Sequence, residues 1–251
     1  MYSLGCKPDP KDPRDLLLRN FVPRIYLPAE ISYKKQMMSV RDQGQEGTCV
    51  GHAVAAVKEW QDSQERRISN LILSPRYIYY WSKQEDGFPN EEGTYIRIAL
   101  KVICERGTCE ESLLPYQAYQ KVTITEKMNE NAKQYKGIAY ARLISINDMK
   151  HSLLLNGPFV AGVQVFEDWM SNKGEIIKKN SSMSMGSHAI CFVGYNDDER
   201  CFVFKNSWGI NWGDHGYGKL SYDYVNSYCQ DAWSLTDLIE IVQTAEKIRN
   251  N

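Results

Sequence analysis

A cysteine at the start of a predicted helix is the first residue in this sequence that could do chemistry. Cys49 opens a stretch, 49–67, in which apolar residues recur at three- and four-residue steps: Val50, Val54, Val57 and Trp60. This spacing predicts a helix with one buried face, and Thr48 is its expected N-cap. The positive end of a helix favours a thiolate over a thiol. Cys49 is therefore the candidate nucleophile.

A thiol nucleophile also needs a base, and the chain has four candidates: His52, His151, His188 and His215. His52 lies three residues along the same helix, too constrained to accept the Cys49 proton and still leave room for a substrate. His151 is expected to face solvent from a short helix, and His215 to lie in a turn. His188 opens an apolar strand, where a rigid sheet can hold a polar ring at the rim of a cleft. His188 is the favoured base.

The second ring nitrogen of such a base needs a partner that fixes its tautomer. Turn-forming residues separate two strand-like stretches, 188–195 and 201–205, and predict an antiparallel hairpin. Its open ends bring His188 and Asn206 together, and Trp208 would shield their hydrogen bond from water. An ordinary turn at Asn206 stays open as the alternative from these residues alone.

Three segments, in this order, resemble the signatures of papain-like cysteine peptidases: Gln43-Gly-x-x-Gly-x-Cys49, Ser187-His188-Ala-x-x-x-Val-Gly-Tyr195 and Lys205-Asn-Ser-Trp-Gly-x-x-Trp-Gly213. The likeness covers about residues 27–233, after a short N-terminal extension like that of prokaryotic members. It implies an α+β, papain-like two-lobe fold. One lobe is helical, the other is antiparallel and β-barrel-like, and the active-site cleft lies between them.

By this resemblance, Cys49 attacks a peptide carbonyl and His188, oriented by Asn206, protonates the leaving amine. Gln43 and the Cys49 N–H form the oxyanion hole. The implied partner is a peptide or protein substrate, with no metal and no cofactor. The implied substrate-binding residues are Gly93, Thr94, Tyr95, Ile96, Gly162, Gly186, Ser187 and Trp208. Tyr95, Ile96, Gly162 and Gly186 are expected to line the pocket for the second residue before the scissile bond, with an apolar preference.

The chain divides into three predicted parts. Residues 1–26, rich in Pro and Asp, form an extended arm, which either packs on the surface or lies across the cleft as an inhibitor. Residues 27–237 form the peptidase domain, helical over about 48–135 and β-rich over 136–237, and residues 238–251 form a helical tail. Further helices are expected at 75–83, 94–105 and 147–155, and further strands at 140–145 and 159–166.

Composition narrows the function classes. With 30 basic and 31 acidic residues, the chain has no net positive charge that would attract nucleic acid or an anionic membrane surface. Seven cysteines without regular spacing indicate at least one free thiol and leave a Cys104–Cys109 disulfide open. Glu46 stands where many secreted family members have a disulfide cysteine, which fits a reducing compartment. We expect a monomer in the cytoplasm, with leaderless export as the alternative.

Two other functions stay open. One is a catalytically silent binding protein on the same fold, occluded by its arm. The other is a papain-related amidase or acyl transferase that acts on isopeptide bonds or glutamine side chains. Product analysis separates the second from a peptidase, because peptide cleavage creates new α-amino termini and amine transfer does not.

Overall fold

The computed structural model describes residues 2–22, 25–178 and 183–236. The predicted tail, 238–251, lies outside these residues. The helices described are α1 (Cys49–Arg66), α2 (Pro75–Glu85), α3 (Ile96–Glu105), α4 (Glu126–Ala132), α5 (Ile146–Asn156) and α6 (Tyr222–Tyr228). The strands described are β1 (Cys6–Lys7), β2 (Glu30–Ser32), β3 (Thr94–Tyr95), β4 (Ala139–Arg142), β5 (Phe159–Phe166), β6 (Ile176–Ile177), β7 (Ser184–Asn196), β8 (Cys201–Lys205), β9 (Tyr217–Ser221) and β10 (Cys229–Thr236).

The first lobe is built around α1, which packs against α2, α3 and β7. Small residues let these elements come close. At Gly51 a Cβ would lie 2.6 Å from the carbonyl oxygen of Pro75, the first residue of α2. Val50, Val54 and Val57 are fully buried in the core that α1 shares with the sheet. This packing fixes the N-terminus of α1, where Cys49 lies.

The second lobe is a mostly antiparallel sheet in the order β4-β10-β5-β7-β8-β9-β6, with β2 paired to the far end of β7. Among the described strands of this sheet, only β6 and β9 pair in parallel. In the described residues the sheet is open, so the barrel-like closure implied by the resemblance is not formed. The papain-like α+β architecture of two lobes is confirmed.

The predicted elements agree closely with these bounds except in three places. The strand expected at 188–195 begins at Ser184, so His188 lies inside β7 rather than at its start. The stretch 94–105 is helical only from Ile96, because Thr94 and Tyr95 pair as a strand with residues 6 and 7 of the arm. The expected strand 140–145 ends at Arg142, and α5 begins at Ile146 with the Ser145 hydroxyl as its N-cap. No helix in the described part of the chain is long and apolar enough to cross a membrane.

Candidate active site

Cys49 is the first residue of α1 and is fully buried. Thr48 is the N-cap residue of α1 as expected, but its side chain makes no capping hydrogen bond. The Thr48 hydroxyl lies 2.8 Å from the hydroxyl of Tyr116 instead. Backbone N–H groups at the start of α1, including that of Val50, are left to face the Cys49 sulfur.

The loop before α1 places Gln43 at the same helix end. The Ser207 hydroxyl donates to Gln43 Oε1 at 2.6 Å, and the Gln43 backbone N–H donates to the Ser207 carbonyl at 2.9 Å. This pair turns the Gln43 amide nitrogen inward, where it donates to the carbonyl oxygens of Glu46 at 3.0 Å and Ser3 at 3.3 Å. Sequence reasoning missed Ser207 as a positioning residue, although it lies inside the Asn-Ser-Trp-Gly motif.

His188 and Asn206 meet across the hairpin of β7 and β8. The His188 Nε2 and Asn206 Oδ1 atoms are 2.8 Å apart, and the Ser207 N–H donates to the same oxygen at 2.8 Å. The Trp208 ring packs over the imidazole with 4.6 Å between ring centroids. His188 Nδ1 has no hydrogen-bond partner among the described residues.

The other histidines are held away from this role. His52 is buried, its Nδ1 atom lies 3.1 Å from the Thr48 carbonyl oxygen, and its ring packs edge-on against Tyr116. His151 lies 2.7 Å from the Asn147 carbonyl oxygen of its own helix. His215 is exposed in a turn with a positive φ of 52°.

The Cys49 thiol lies close to the residue after His188, and burial favours the neutral form of both the thiol and the imidazole. The Ala189 N–H donates to the Cys49 sulfur at 3.4 Å, which brings the sulfur beside His188. Burial raises the pKa of the Cys49 thiol to about 11, and the N–H groups of Ala189 and Gly5 only partly offset that rise. Burial also lowers the pKa of His188 to about 4, against the hydrogen bond to the Asn206 oxygen, which raises it. Exclusion of water therefore disfavours the thiolate–imidazolium pair.

Water is excluded because the N-terminal arm lies in the cleft. The Tyr2 ring stacks on Trp208 with 4.6 Å between centroids and 6° between planes. The carbonyl of Ser3 accepts from the Gln43 amide, and the N–H of Gly5 faces the Cys49 sulfur. The Gly5 carbonyl accepts from the Thr94 N–H at 3.0 Å.

The predicted substrate-binding residues contact successive residues of this arm. A Cβ on Gly186 would lie 3.1 Å from the Leu4 side chain, and one on Gly162 would lie 2.8 Å from the Cys6 sulfur and 3.4 Å from Ile96. Thr94 and Tyr95 pair with residues 6 and 7. Gly186 thus lies near Leu4, whereas Gly162 and Ile96 lie near Cys6. Ser187 pairs with Gln164 in the sheet.

A buried ion pair lies at Glu46, the position where many secreted relatives have a disulfide cysteine. Glu46 and Arg76 are both buried, and Arg76 Nη1 donates to Glu46 Oε1 at 2.8 Å. The Glu46 carboxylate also accepts from the Tyr119 N–H at 2.6 Å. All seven cysteines lie in the described part of the chain and none forms a disulfide there. The described residues also hold no group of three or more candidate metal ligands.

Comparison with known proteins identifies the family. The model of the papain family cysteine proteases matches residues 27–234, most of the chain. The chain belongs to the papain family of cysteine proteases. It is an enzyme of the thiol protease class, and the family acts on peptide substrates.

Relatives in this papain family are distant in sequence, and the solved structure of one of them is close in fold. The uncharacterized peptidase C1-like protein L477 of Acanthamoeba polyphaga mimivirus is 31% identical over 223 residues, 82% of this chain and 72% of that protein. Xylellain, a cysteine protease from Xylella fastidiosa, superposes with a TM-score of 0.84 at 27% identity, covering 94% of this chain and 97% of that one.

Larger papain-family proteins match over part of their length. Pro-cathepsin H of Medicago truncatula is 27% identical over 210 residues, 78% of this chain and 57% of that protein. The chain spans 43% of the cathepsin C of Schistosoma mansoni, at 28% identity over 204 residues and 72% of this chain.

Proposed function

We propose that this protein hydrolyses peptide bonds through Cys49, His188 and Asn206 and that its N-terminal arm keeps it latent. One observation carries the proposal. The His188 Nε2 atom is held by Asn206, its Nδ1 atom has no partner among the described residues, and the Cys49 sulfur accepts from the N–H of the next residue, Ala189. An imidazole with one nitrogen fixed and the other open beside a thiol is arranged to take the thiol proton.

The reaction begins when the arm leaves the cleft and a substrate enters. Proton transfer from Cys49 to His188 Nδ1 gives a thiolate, which attacks the scissile carbonyl. The Gln43 amide nitrogen and the Cys49 N–H donate to the oxygen as it becomes negative. His188 then protonates the leaving amine, and the acyl-enzyme forms. Water, activated by His188, hydrolyses the thioester and releases the acid.

Latency follows from how the arm passes the nucleophile. In a substrate, the residue in the pocket of Gly162 and Ile96 precedes the residue at Cys49. In the arm, Cys6 fills that pocket, but it comes after Gly5 and Ser3, which face Cys49 and Gln43. The arm therefore crosses the cleft in the opposite direction to a substrate. It fills the subsites without presenting a cleavable bond in the productive orientation.

The products decide between hydrolysis and transfer. A neutral peptide incubated with arm-opened enzyme and an added primary amine should give two fragments, one with a new α-amino terminus and one with a free carboxylate. If the acyl fragment carries the added amine as its main product, the protein is an acyl transferase. If no product forms although Cys49 is alkylated by thiol reagents, the silent binding protein is the correct interpretation.

Loss of one oxyanion donor should lower the rate of the chemical step. Gln43→Ala is expected to lower kcat by about 10² to 10³-fold, with little change in KM, because the donor acts mainly on the negative oxygen of the transition state. Gln134→Ala, the same substitution at an exposed position, is the matched control. Equal loss in both variants, or a change confined to KM, contradicts the role given to Gln43.

Arm docking should depend on pH through Asp9. Docking raises the pKa of Asp9 from 3.8 to about 6, first because the carboxyl is buried and then because Asp231 lies beside it, against the donors Trp233 and Arg97. A released arm would return Asp9 to its ordinary value, so the docked state binds the proton more tightly. The proton's contribution to docking is fully present below about pH 4 and is lost as the pH rises through about 6.

Amide hydrogen exchange of residues 2–9, corrected for the intrinsic rate, should therefore be faster at about pH 7.5 than at about pH 5. The groups facing Asp9 are Asp231, Arg97, Trp233 and the Cys6 thiol. Asp9→Asn should flatten the profile because it removes the titrating group, while Asp12→Asn, at a solvent-facing pair with Arg14, should not. An unchanged profile in Asp9→Asn refutes this account.

A further inference from the structure

Two arginines of the peptidase domain flank one tryptophan beside the cleft. Arg97 lies in the first turn of α3, directly after Ile96, and Arg142 ends β4. Their guanidinium groups lie 5.3 Å and 5.1 Å from the centre of the Trp233 ring. Since Ile96 lines the pocket that Cys6 fills, these cations lie just beyond that pocket, on the side where the acyl part of a substrate would continue.

The arm places two carboxylates on this cluster. Asp15 Oδ2 accepts from Arg97 Nη2 at 2.7 Å and from Arg142 Nη1 at 2.9 Å, so one oxygen bridges both cations. Asp9 accepts from Trp233 Nε1 at 2.9 Å and from the Arg97 N–H at 3.3 Å. The acidic residues of the arm therefore lie where the peptidase domain offers hydrogen-bond donors.

With the arm docked, this site has more negative than positive groups. The peptidase domain contributes two cations, Arg97 and Arg142, and one anion, Asp231, which is paired with Arg142. Asp9 and Asp15 bring the total to three carboxylates against two guanidinium groups. The excess falls on Asp9, whose pKa rises to about 6 in burial beside Asp231. Without the arm, the site has one positive charge in excess, which a single carboxylate would balance.

We infer that the arm-free enzyme selects substrates with an acidic side chain upstream of the residue in the Cys6 pocket, bound where Asp15 now bridges Arg97 and Arg142. This inference rests on the proposed peptidase function. A carboxylate suits this place because two guanidinium groups converge on one oxygen position. A cavity of about 560 Å³ beside it, lined by Arg142, Asp15 and Asp231, leaves room for the longer glutamate as well as aspartate.

The test uses the full chain with two substitutions. Gly5→Leu is expected to open the cleft, and Asp15→Ala removes the carboxylate that bridges Arg97 and Arg142. The substrates are peptides without other charged side chains, and each carries a single Asp or Asn at one of the successive positions before the scissile bond. At one upstream position, Asp should raise kcat/KM over Asn by about tenfold, the scale of one charge-assisted contact. Adding Arg97→Gln should bring that ratio close to one. Lys101→Gln, which removes a charge one turn further along α3 and has a half-exposed side chain, should preserve it.

Failure of this inference and failure of the proposed function give different results. Hydrolysis with Asp-to-Asn ratios near one at every position, or a ratio insensitive to Arg97→Gln, overturns the acidic preference and leaves the peptidase intact. If no peptide is cleaved, the peptidase proposal fails. The same Asp and Asn peptides are then measured for Kd against the Cys49→Ala form of this opened chain. Equal Kd values there overturn the inference, and tighter binding of the Asp peptide that is lost with Arg97→Gln supports it.

Discussion

Replacing Cys49 with alanine is expected to lower kcat for a fluorogenic peptide by at least about 10⁵-fold. In the proposed mechanism the sulfur is both the attacking atom and the carrier of the acyl group, and it accepts from the N–H of Ala189, the residue after His188. The measurement compares kcat in the Gly5→Leu background, in which docking of the arm is expected to be weaker. The Cys49→Ala protein should fold normally, because alanine is a good helix former and fits the space of the cysteine.

Cys104→Ser is the matched control for this variant. Cys104 is a partly buried cysteine of α3, and its replacement should leave kcat within about twofold of the parent. Substantial hydrolysis by the Cys49→Ala protein would mean that another residue is the nucleophile. A comparable loss in Cys104→Ser would mean that the fall reflects damage to the fold rather than loss of the reacting atom.

Opening the cleft should give the second large change, an increase in activity. A Cβ on Gly5 would overlap the carbonyl oxygen of Gly47, so no larger side chain fits while the arm is docked. Overpacking of this kind costs about 1–3 kcal/mol, so Gly5→Leu should raise the fraction of open enzyme, and the initial rate, by about tenfold to a hundredfold. Peptide hydrolysis by the variant and by the parent chain, at equal concentration of folded protein, measures the effect.

Lys11→Ala is the matched control in the same arm. Lys11 is exposed, and its truncation removes a long side chain without disturbing the residues at Cys49. Its initial rate should equal that of the parent. If Gly5→Leu folds and is no more active than the parent, the arm does not limit the reaction. If Lys11→Ala is activated equally, the clash at Gly47 is not the reason.

The proposed catalytic residues could be predicted from the sequence because each lies in a short local pattern. The apolar steps after Cys49 predict its helix, and the hairpin pattern predicts that His188 and Asn206 lie together; their side chains are 2.8 Å apart. The family and its two-lobe fold followed from the three motifs. These features depend on residues close in the chain, where periodicity and turn chemistry act.

The rest depends on contacts between residues far apart in sequence. The sequence left open whether the arm packs on the surface or enters the cleft, because the contact of Asp9 with Trp233 joins residues 224 positions apart. Ser207 orients Gln43 across 164 positions. Thr48 was expected to cap α1, but the Tyr116 hydroxyl, 68 positions away, holds its side chain. Propensity carries no information about such partners.

The most direct test of an activated Cys49 beneath a removable arm is covalent labelling with a peptide epoxide. The parent chain, Gly5→Leu and Gly5→Leu with His188→Ala are treated under reducing conditions, and the labelled residue is located by mass spectrometry. We predict labelling at Cys49 alone, slow in the parent, faster by about tenfold or more in Gly5→Leu, and lost with His188→Ala. Labelling spread over several cysteines, or a rate at Cys49 that is unaffected by both substitutions, would contradict the account.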